Sequence, residues 1–272
     1  SKTLISTACS WVNISTAQKK PPSSPRGVKI TSARVGQFYF GADRRDGISD
    51  AGLAYFQRVY PERTLTKEDL FYYIYGLLHS PEYRQRFAEN LGKELPRIPC
   101  VQPVEKFWAF SKAGRKLARL HLKYDEVEPY PAKIDCGGKT LKPADYRVEK
   151  MRFGKKGKDK DRTMIHYNER ITITGIPLEA YEYVVNGKPA IEWVMERQGV
   201  RVDSDSGIVN DTNEWAVETM KNPRYPLDLL LRVVTVSLET MKIVRSLPPL
   251  AIKDPPLQTS PRWAPGAEPA PA

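Results

Sequence analysis

Histidine and cysteine are scarce in this chain of 272 residues, with three of each, and no apolar run is long. Cys9, Cys100 and Cys136 are odd in number and far apart, which argues against a disulfide framework and against a structural zinc site, so free thiols are the expected state. His79, His121 and His166 lack the close spacing of a zinc ligand set. A bilayer span needs roughly 20 consecutive apolar residues, and nothing here approaches that. The opening residues are polar and broken by prolines instead of forming a signal-peptide core. The expectation is a soluble, cytoplasmic protein with no membrane partner. The apolar residues, 40% of the chain, suffice for one large domain or two small ones.

Catalytic patterns are equally thin. Gly138-Lys139-Thr140 has the look of a phosphate loop, but Lys133 stands where the leading glycine is required. Asp254-Pro255-Pro256-Leu257 lacks the aromatic platform of an amino-methyltransferase loop and has no glycine-rich cofactor loop upstream. Glu149-Lys150 offers the species for metal and phosphate binding without a partner acid at a fixed spacing. Asp203, Asp205 and Asp211 surround a Ser/Gly/Asn turn in an order unlike a calcium loop, and backbone capping is the plainer reading. No catalytic, cofactor-binding or metal residue is assigned, and no cofactor is expected in this region. A small metal-dependent nuclease built from dispersed carboxylates stays open as an alternative, as does a protein-docking adaptor with Tyr/Leu-rich helical faces.

Positive charge, in contrast, is abundant and unevenly placed. Lys and Arg number 43 against 32 Asp and Glu, a net +11. Residues 1–45 hold eight basic side chains and one acidic, residues 150–162 hold seven and two, and the rest of the chain nets −1. Clustered cations lower the cost of approaching consecutive phosphates. The second cluster is Lys150, Arg152, Lys155, Lys156, Lys158, Lys160 and Arg162, with Gly154 and Gly157 loosening the backbone. It reads as a nucleic-acid contact, as a solvated hairpin tip or as a site for another anion. The first cluster, from Lys19 to Arg34 and then Arg44 and Arg45, reads as an arm laid along a backbone or as a flexible end. A fixed Arg fork reads guanine and an Asn amide reads adenine. Arg152 and Arg162 are therefore candidate base readers and the lysines candidate phosphate contacts. His166 is a candidate for a base or phosphate hydrogen bond, and Asn168 either approaches a base edge or holds its own turn.

The periodicities predict an α+β fold, with mixed helical layers around a central antiparallel β region. Thr66 with Asp69 predicts a helix start, and Ser80-Pro81 closes one helix and opens another. A third helix runs from Val104 to His121, imperfect around Gly114. Residues 34–40 read as a strand, as do residues 146–153, and residues 163–174 read as two strands joined around Asn168-Glu169. Pro177 starts a helix through Val185 that Asn186-Gly187 stops, Pro189 starts its successor with Gly199 as cap, and a long helix spans Leu227 to Val244. From Pro248 on, eight prolines in 25 residues predict a loose tail.

Three ordered stretches carry a family likeness: Asp46-Gly47-Ile48-Ser49-Asp50, the run from Leu70 through His79-Ser80-Pro81 to Arg84, and Leu95-Pro96-Arg97-Ile98-Pro99. It continues through Tyr167-Asn168, Gly175-Ile176-Pro177, residues 181–187, Trp193 and residues 206–211. Over residues 46–248 the chain resembles the C-terminal target-recognition region of Type ISP, single-polypeptide Type I, restriction-modification enzymes. The resemblance implies a DNA target-recognition domain with double-stranded DNA as partner. It also implies a parent polypeptide of prokaryotic defence in which nuclease, ATP-driven translocase (helicase), coupling and adenine-N6 methyltransferase domains use S-adenosylmethionine, ATP and magnesium. The expected organisation is a basic partial segment at 1–45, a helical subdomain at 46–128, a basic β-rich DNA-reading region at 129–176, a helical subdomain at 177–247 and a Pro-rich tail at 248–272.

Overall fold

The computed structural model describes residues 47–93 and 95–252. The strand expected at 34–40, Arg44, Arg45 and the tail beyond residue 252 lie outside the described residues.

The first half is helical. Helix α1 (Asp50–Val59) is capped by Ser49 and packs Phe56, with Leu53 and Val59, against the helical core. Helix α2 (Lys67–Leu78) starts at the capping box of Thr66 and Asp69, as the sequence predicts. Short α3 (Pro81–Arg86) and α4 (Ala88–Leu91) follow Ser80, and α5 (Val104–Leu122) crosses α2. Gly114 is no imperfection in α5. A Cβ there would sit 1.9 Å from the Tyr72 carbonyl oxygen, and one at Gly76 would sit 2.2 Å from that of Phe110, so the two backbones touch. Ser111 donates to the Asp69 carbonyl across this crossing at 2.9 Å. Tyr60, Tyr73 and Tyr83 donate their hydroxyls, each at 2.6 Å, to the carbonyls of Val101, Pro99 and Arg97, pinning alternate residues of the extended segment behind them.

The second half is built on a sheet. Strands β1 (Lys133–Asp135), β2 (Arg152–Lys156), β3 (Asp159–His166) and β4 (Thr172–Thr174) form an antiparallel sheet in the order β1-β4-β3-β2. Residues 146–151 are not a strand. A 3₁₀ turn, Pro143–Tyr146, and a loop precede β2, because Tyr167 and Asn168 take the Tyr146, Asp145 and Arg147 carbonyls that a ladder would need.

The helix expected after Pro177 is also replaced. A 3₁₀ turn, Leu178–Tyr181, is followed by a hairpin of β5 (Val184–Val185) and β6 (Lys188–Pro189). Asn186 and Gly187 have φ of 52° and 77°, the pair of positive angles that suits a two-residue hairpin turn, not a helix stop. Helix α6 (Ala190–Arg197) comes next. Gly199 does not cap it; a Cβ there would meet the Glu149 carbonyl at 2.5 Å, so this glycine lets two chain segments touch. A further hairpin, β7 (Val200–Val202) with β8 (Val209–Asp211), and α7 (Thr212–Glu218) complete the layer.

Helix α8 (Tyr225–Arg245) joins the halves. Its Leu227, Leu230, Leu231 and Val234 lie in the core that Ile165, Ile171 and Ile173 form with Tyr167, while Ile243 packs against the core of Tyr73, Phe107 and Leu117. At the seam, His121 Nε2 lies 2.9 Å from Thr240 Oγ1 and Nδ1 2.8 Å from the Tyr75 hydroxyl, and its ring stacks on Tyr183. Burial, with neighbouring His79 adding to it, holds the His121 pKa down at about 3. The architecture is α+β, with helical layers about a central antiparallel sheet. Among the described residues no helix is long and apolar enough to cross a membrane.

Candidate nucleic-acid interface

Pleating divides the sheet into two faces. The aligned row Ile134, Ile173, Ile165 and Phe153 includes the fully buried Ile165 and Ile173. The adjacent row, Asp135, Thr172, His166 and Arg152, lies on the opposite face and turns Arg152 and His166 outward. Fourteen positions apart in sequence, these two candidates become direct cross-strand neighbours. His166 Nδ1 lies 3.1 Å from Thr172 Oγ1. Lys133, exposed on β1 and aligned with Thr174 and then Met164, shares this face. The sequence reading passed over it, although the alternation Lys133-Ile134-Asp135 could have found it.

The β2–β3 hairpin is irregular in a specific way. Its register shifts between Phe153 and Gly154, leaving Arg162, Thr163 and Met164 without counterparts on β2. Asp161 accepts from the Thr163 hydroxyl at 2.6 Å and amide at 2.9 Å, and these bonds lower its pKa. Met164 then packs where a Gly154 side chain would stand; a Cβ there would be 2.9 Å from its Cβ and Sδ. Gly154 thus permits close packing, and only Gly157, at φ 65°, serves the turn. Beyond the bulge, Lys155 pairs directly with Lys160 and Lys156 with Asp159, with Gly157 and Lys158 at the tip.

Salt bridges sort the cations into two sets. Arg147 is engaged by Glu149 and Asp211, and Arg170 by Asp145. Arg162 approaches Glu192 at 3.3 Å and lies 5.5 Å from the Tyr181 ring centroid. Among the described residues, Lys150, Arg152, Lys155, Lys156, Lys158 and Lys160 make no such bridge and are all exposed. Asn168 is fully committed. It donates to the Asp145 and Arg147 carbonyls and accepts from the Arg170 and Ile171 amides, all within 2.8 to 2.9 Å. That is the turn-holding one of its two readings, so it is set aside as a base contact.

Other candidates lie elsewhere. His79 is buried in the helical half, its Nδ1 2.8 Å from the Tyr75 carbonyl, and burial lowers its pKa. Asp203 accepts from the Asp205 and Ser206 amides and the Ser206 hydroxyl, and Asp211 caps α7, so both carboxylates cap backbone. No group of three or more His, Cys, Asp or Glu able to hold a metal occurs among the described residues.

The family model described as the Type ISP C-terminal specificity domain matches residues 13–229. No curated protein matches. Similar solved structures include the following three. A nuclease-deletion mutant of the Type ISP restriction-modification enzyme LlaGI, in complex with a DNA substrate mimic, has 44% identity and a TM-score of 0.60 over 70% of this chain and 14% of that one. The ATP-dependent Type ISP restriction-modification enzyme LlaBIII bound to DNA has 41% identity and a TM-score of 0.61, over 73% and 12%. The DrdV–DNA complex has 30% identity and a TM-score of 0.60, over 75% and 20%. The chain therefore spans between 12% and 20% of the length of these proteins.

Proposed function

Because the chain belongs to the family of Type ISP C-terminal specificity domains, we propose that it grips duplex DNA with the β2–β3 hairpin and the outer face of its sheet. In this reading it identifies a short asymmetric sequence and presents the target adenine to a separate methyltransferase domain for N6 methylation, thereby directing restriction by the parent enzyme. The chain performs no covalent step. Extruding the adenine belongs to the methyltransferase, with this module supplying orientation and part of the distortion energy. S-adenosylmethionine, ATP and magnesium would serve the methyltransferase and translocase domains of the parent polypeptide. LlaGI, LlaBIII and DrdV, each solved with DNA or a DNA mimic, support this reading.

One observation carries the local assignment. Lys155 and Lys160 stand directly opposite each other, exposed and without a salt bridge among the described residues. Like charges in directly opposed positions destabilise a hairpin, and a polyanion would reverse that cost.

The Arg fork would read a base edge, and Lys150, Lys155, Lys156, Lys158 and Lys160 would bind phosphates. Arg162, held against Glu192, would serve as a base reader only on releasing that partner. Arg44 and Arg45 keep their proposed role as part of a basic arm. Replacing Lys155, Lys156, Lys158 and Lys160 with Gln is expected to weaken target and nontarget binding alike. The slope of log affinity against log salt should fall by up to about 0.9 for each phosphate no longer neutralised. Arg152→Ala should narrow the preference for the target by about 1–3 kcal/mol if the fork is paired to a base. Unchanged binding of both DNAs across the salt titration by the four-lysine variant rejects the assignment.

A further inference from the structure

A groove of about 500 Å³ runs beside the start of β2, the edge strand of the sheet, and is bounded across from it by α6 and the first residues of β7. Met151, Phe153, Met195 and Val200 give it apolar walls. Its charged residues fall into two kinds. The three carboxylates are all engaged by cations from outside the groove: Glu149 by Arg147, Glu192 by Arg162 and Glu196 by Lys188. The four cations, Lys150, Arg152, Lys160 and Arg201, are exposed and make no salt bridge among the described residues. Asp203, two residues beyond Arg201, accepts from the Asp205 and Ser206 amides, and Arg201 is the least of the influences that lower its pKa. A cleft whose uncompensated charge is of one sign and whose walls are apolar focuses its field along the opening, which raises the local concentration of an anion.

Register sets this cleft apart from the outer sheet face. Phe153, whose cross-strand partner is the buried Ile165, belongs to the inner row, and Lys160 Nζ lies 6.0 Å from its ring centroid. Lys160 therefore serves the groove, while Arg152 on the edge strand borders both the groove and the outward row it shares with His166. On the far wall Arg201 is the last cation. Residues 202–218 hold five carboxylates and no Lys or Arg, so a polyanion led round the edge of the sheet by these cations reaches β7 and meets repulsion beyond it.

We infer that the groove seats a stretch of the sugar-phosphate backbone of one DNA strand, with Lys150, Lys160 and Arg201 at its phosphates and the CH groups of deoxyribose against Phe153. Arg201 becomes a DNA contact outside the basic segment of residues 150–162, and the footprint passes from the hairpin round β2 to β7. The inference rests on the DNA reading proposed above and concerns contacts that position the duplex without reading its bases.

Binding of the full chain to a duplex of mixed sequence across a salt titration tests it against a matched control. Arg197, in the last turn of α6, is exposed and lies 5.6 Å from the Trp193 ring centroid, outside the lining. Arg201→Gln and Arg197→Gln remove the same charge, so net charge cannot account for a difference between them. Arg201→Gln is expected to reduce the slope of log affinity against log salt by up to about 0.9, so that its deficit relative to the wild type shrinks about threefold between roughly 50 and 200 mM salt. Arg197→Gln should keep the wild-type slope, as should Arg201→Lys. Lys160→Gln combined with Arg201→Gln should cost less than the two single losses together, because both cations hold one backbone segment. The circular dichroism spectrum and urea midpoint of Arg201→Gln should match the wild type, since no salt bridge is lost. An unchanged slope in Arg201→Gln, an equal fall in Arg197→Gln, or strict additivity in the double variant overturns the groove assignment and leaves the DNA reading standing. Failure of the wild-type chain to bind any duplex at low ionic strength overturns both.

Discussion

Around α2 and α5 several polar side chains turn inward onto backbone and side-chain partners, whereas along the β2–β3 hairpin most cations turn outward and make no salt bridge among the described residues. In the helical half, three tyrosine hydroxyls donate to alternate carbonyls of one segment, Arg115 bridges Glu68 and Asp69 at 2.6 and 2.7 Å, and His121 is bonded on both ring nitrogens. In the sheet half, the hairpin beyond the bulge sets Lys155 against Lys160. The difference separates two tasks. Satisfied polar groups in a packed interior give a scaffold one geometry, while unpaired exposed cations favour an anionic partner and contribute little to the fold.

The comparison is broken most severely at the helix crossing. Gly114→Ala must push a Cβ against the Tyr72 carbonyl and should cost about 3 kcal/mol, the upper end for overpacking a tight contact. Urea unfolding measures it; a change within error would show that the α2–α5 contact is not rigid. The seam between the halves is next. His121 has an ordinary pKa of 6.5 when unfolded and about 3 when folded, so the unfolded chain binds the extra proton first. Its contribution is therefore complete above the unfolded pKa and is lost as pH falls toward the folded one, a decline of about 2 kcal/mol by about pH 5. A His121→Gln variant whose stability is less dependent on pH across that window would assign the decline to this ring. The smallest effect belongs to the hairpin: Lys155→Glu, facing Lys160, should raise stability by about 0.5 kcal/mol while weakening DNA binding. A loss of stability would mean that the two lysines do not oppose each other in solution.

What could be read from the sequence follows the same division. The capping box at Thr66, the Ser80-Pro81 junction and the stripe of α8 are local patterns and appear in the structure where the residues point to them. Gly76 and Gly114 were opaque because their meaning lies in a backbone approach between positions 38 apart in the chain. Asn186-Gly187 suits both a helix end and a hairpin, and β5 pairing with β6 decides it. At the proposed interface, composition singles out residues 150–162, but the bulge, the pairing of Arg152 with His166, and Lys133 on the same face depend on register, which no local pattern fixes. Charge alone also could not separate Arg162, held by Glu192, from Arg152, which makes no salt bridge among the described residues.

Amide hydrogen exchange of the whole chain, with and without a short duplex at low ionic strength, tests the division of labour most directly. The account predicts that added DNA slows exchange in residues 150–166 and leaves α2 and α5 unchanged. Protection gained across α2 and α5, with the hairpin exchanging as it does in the free protein, would contradict it.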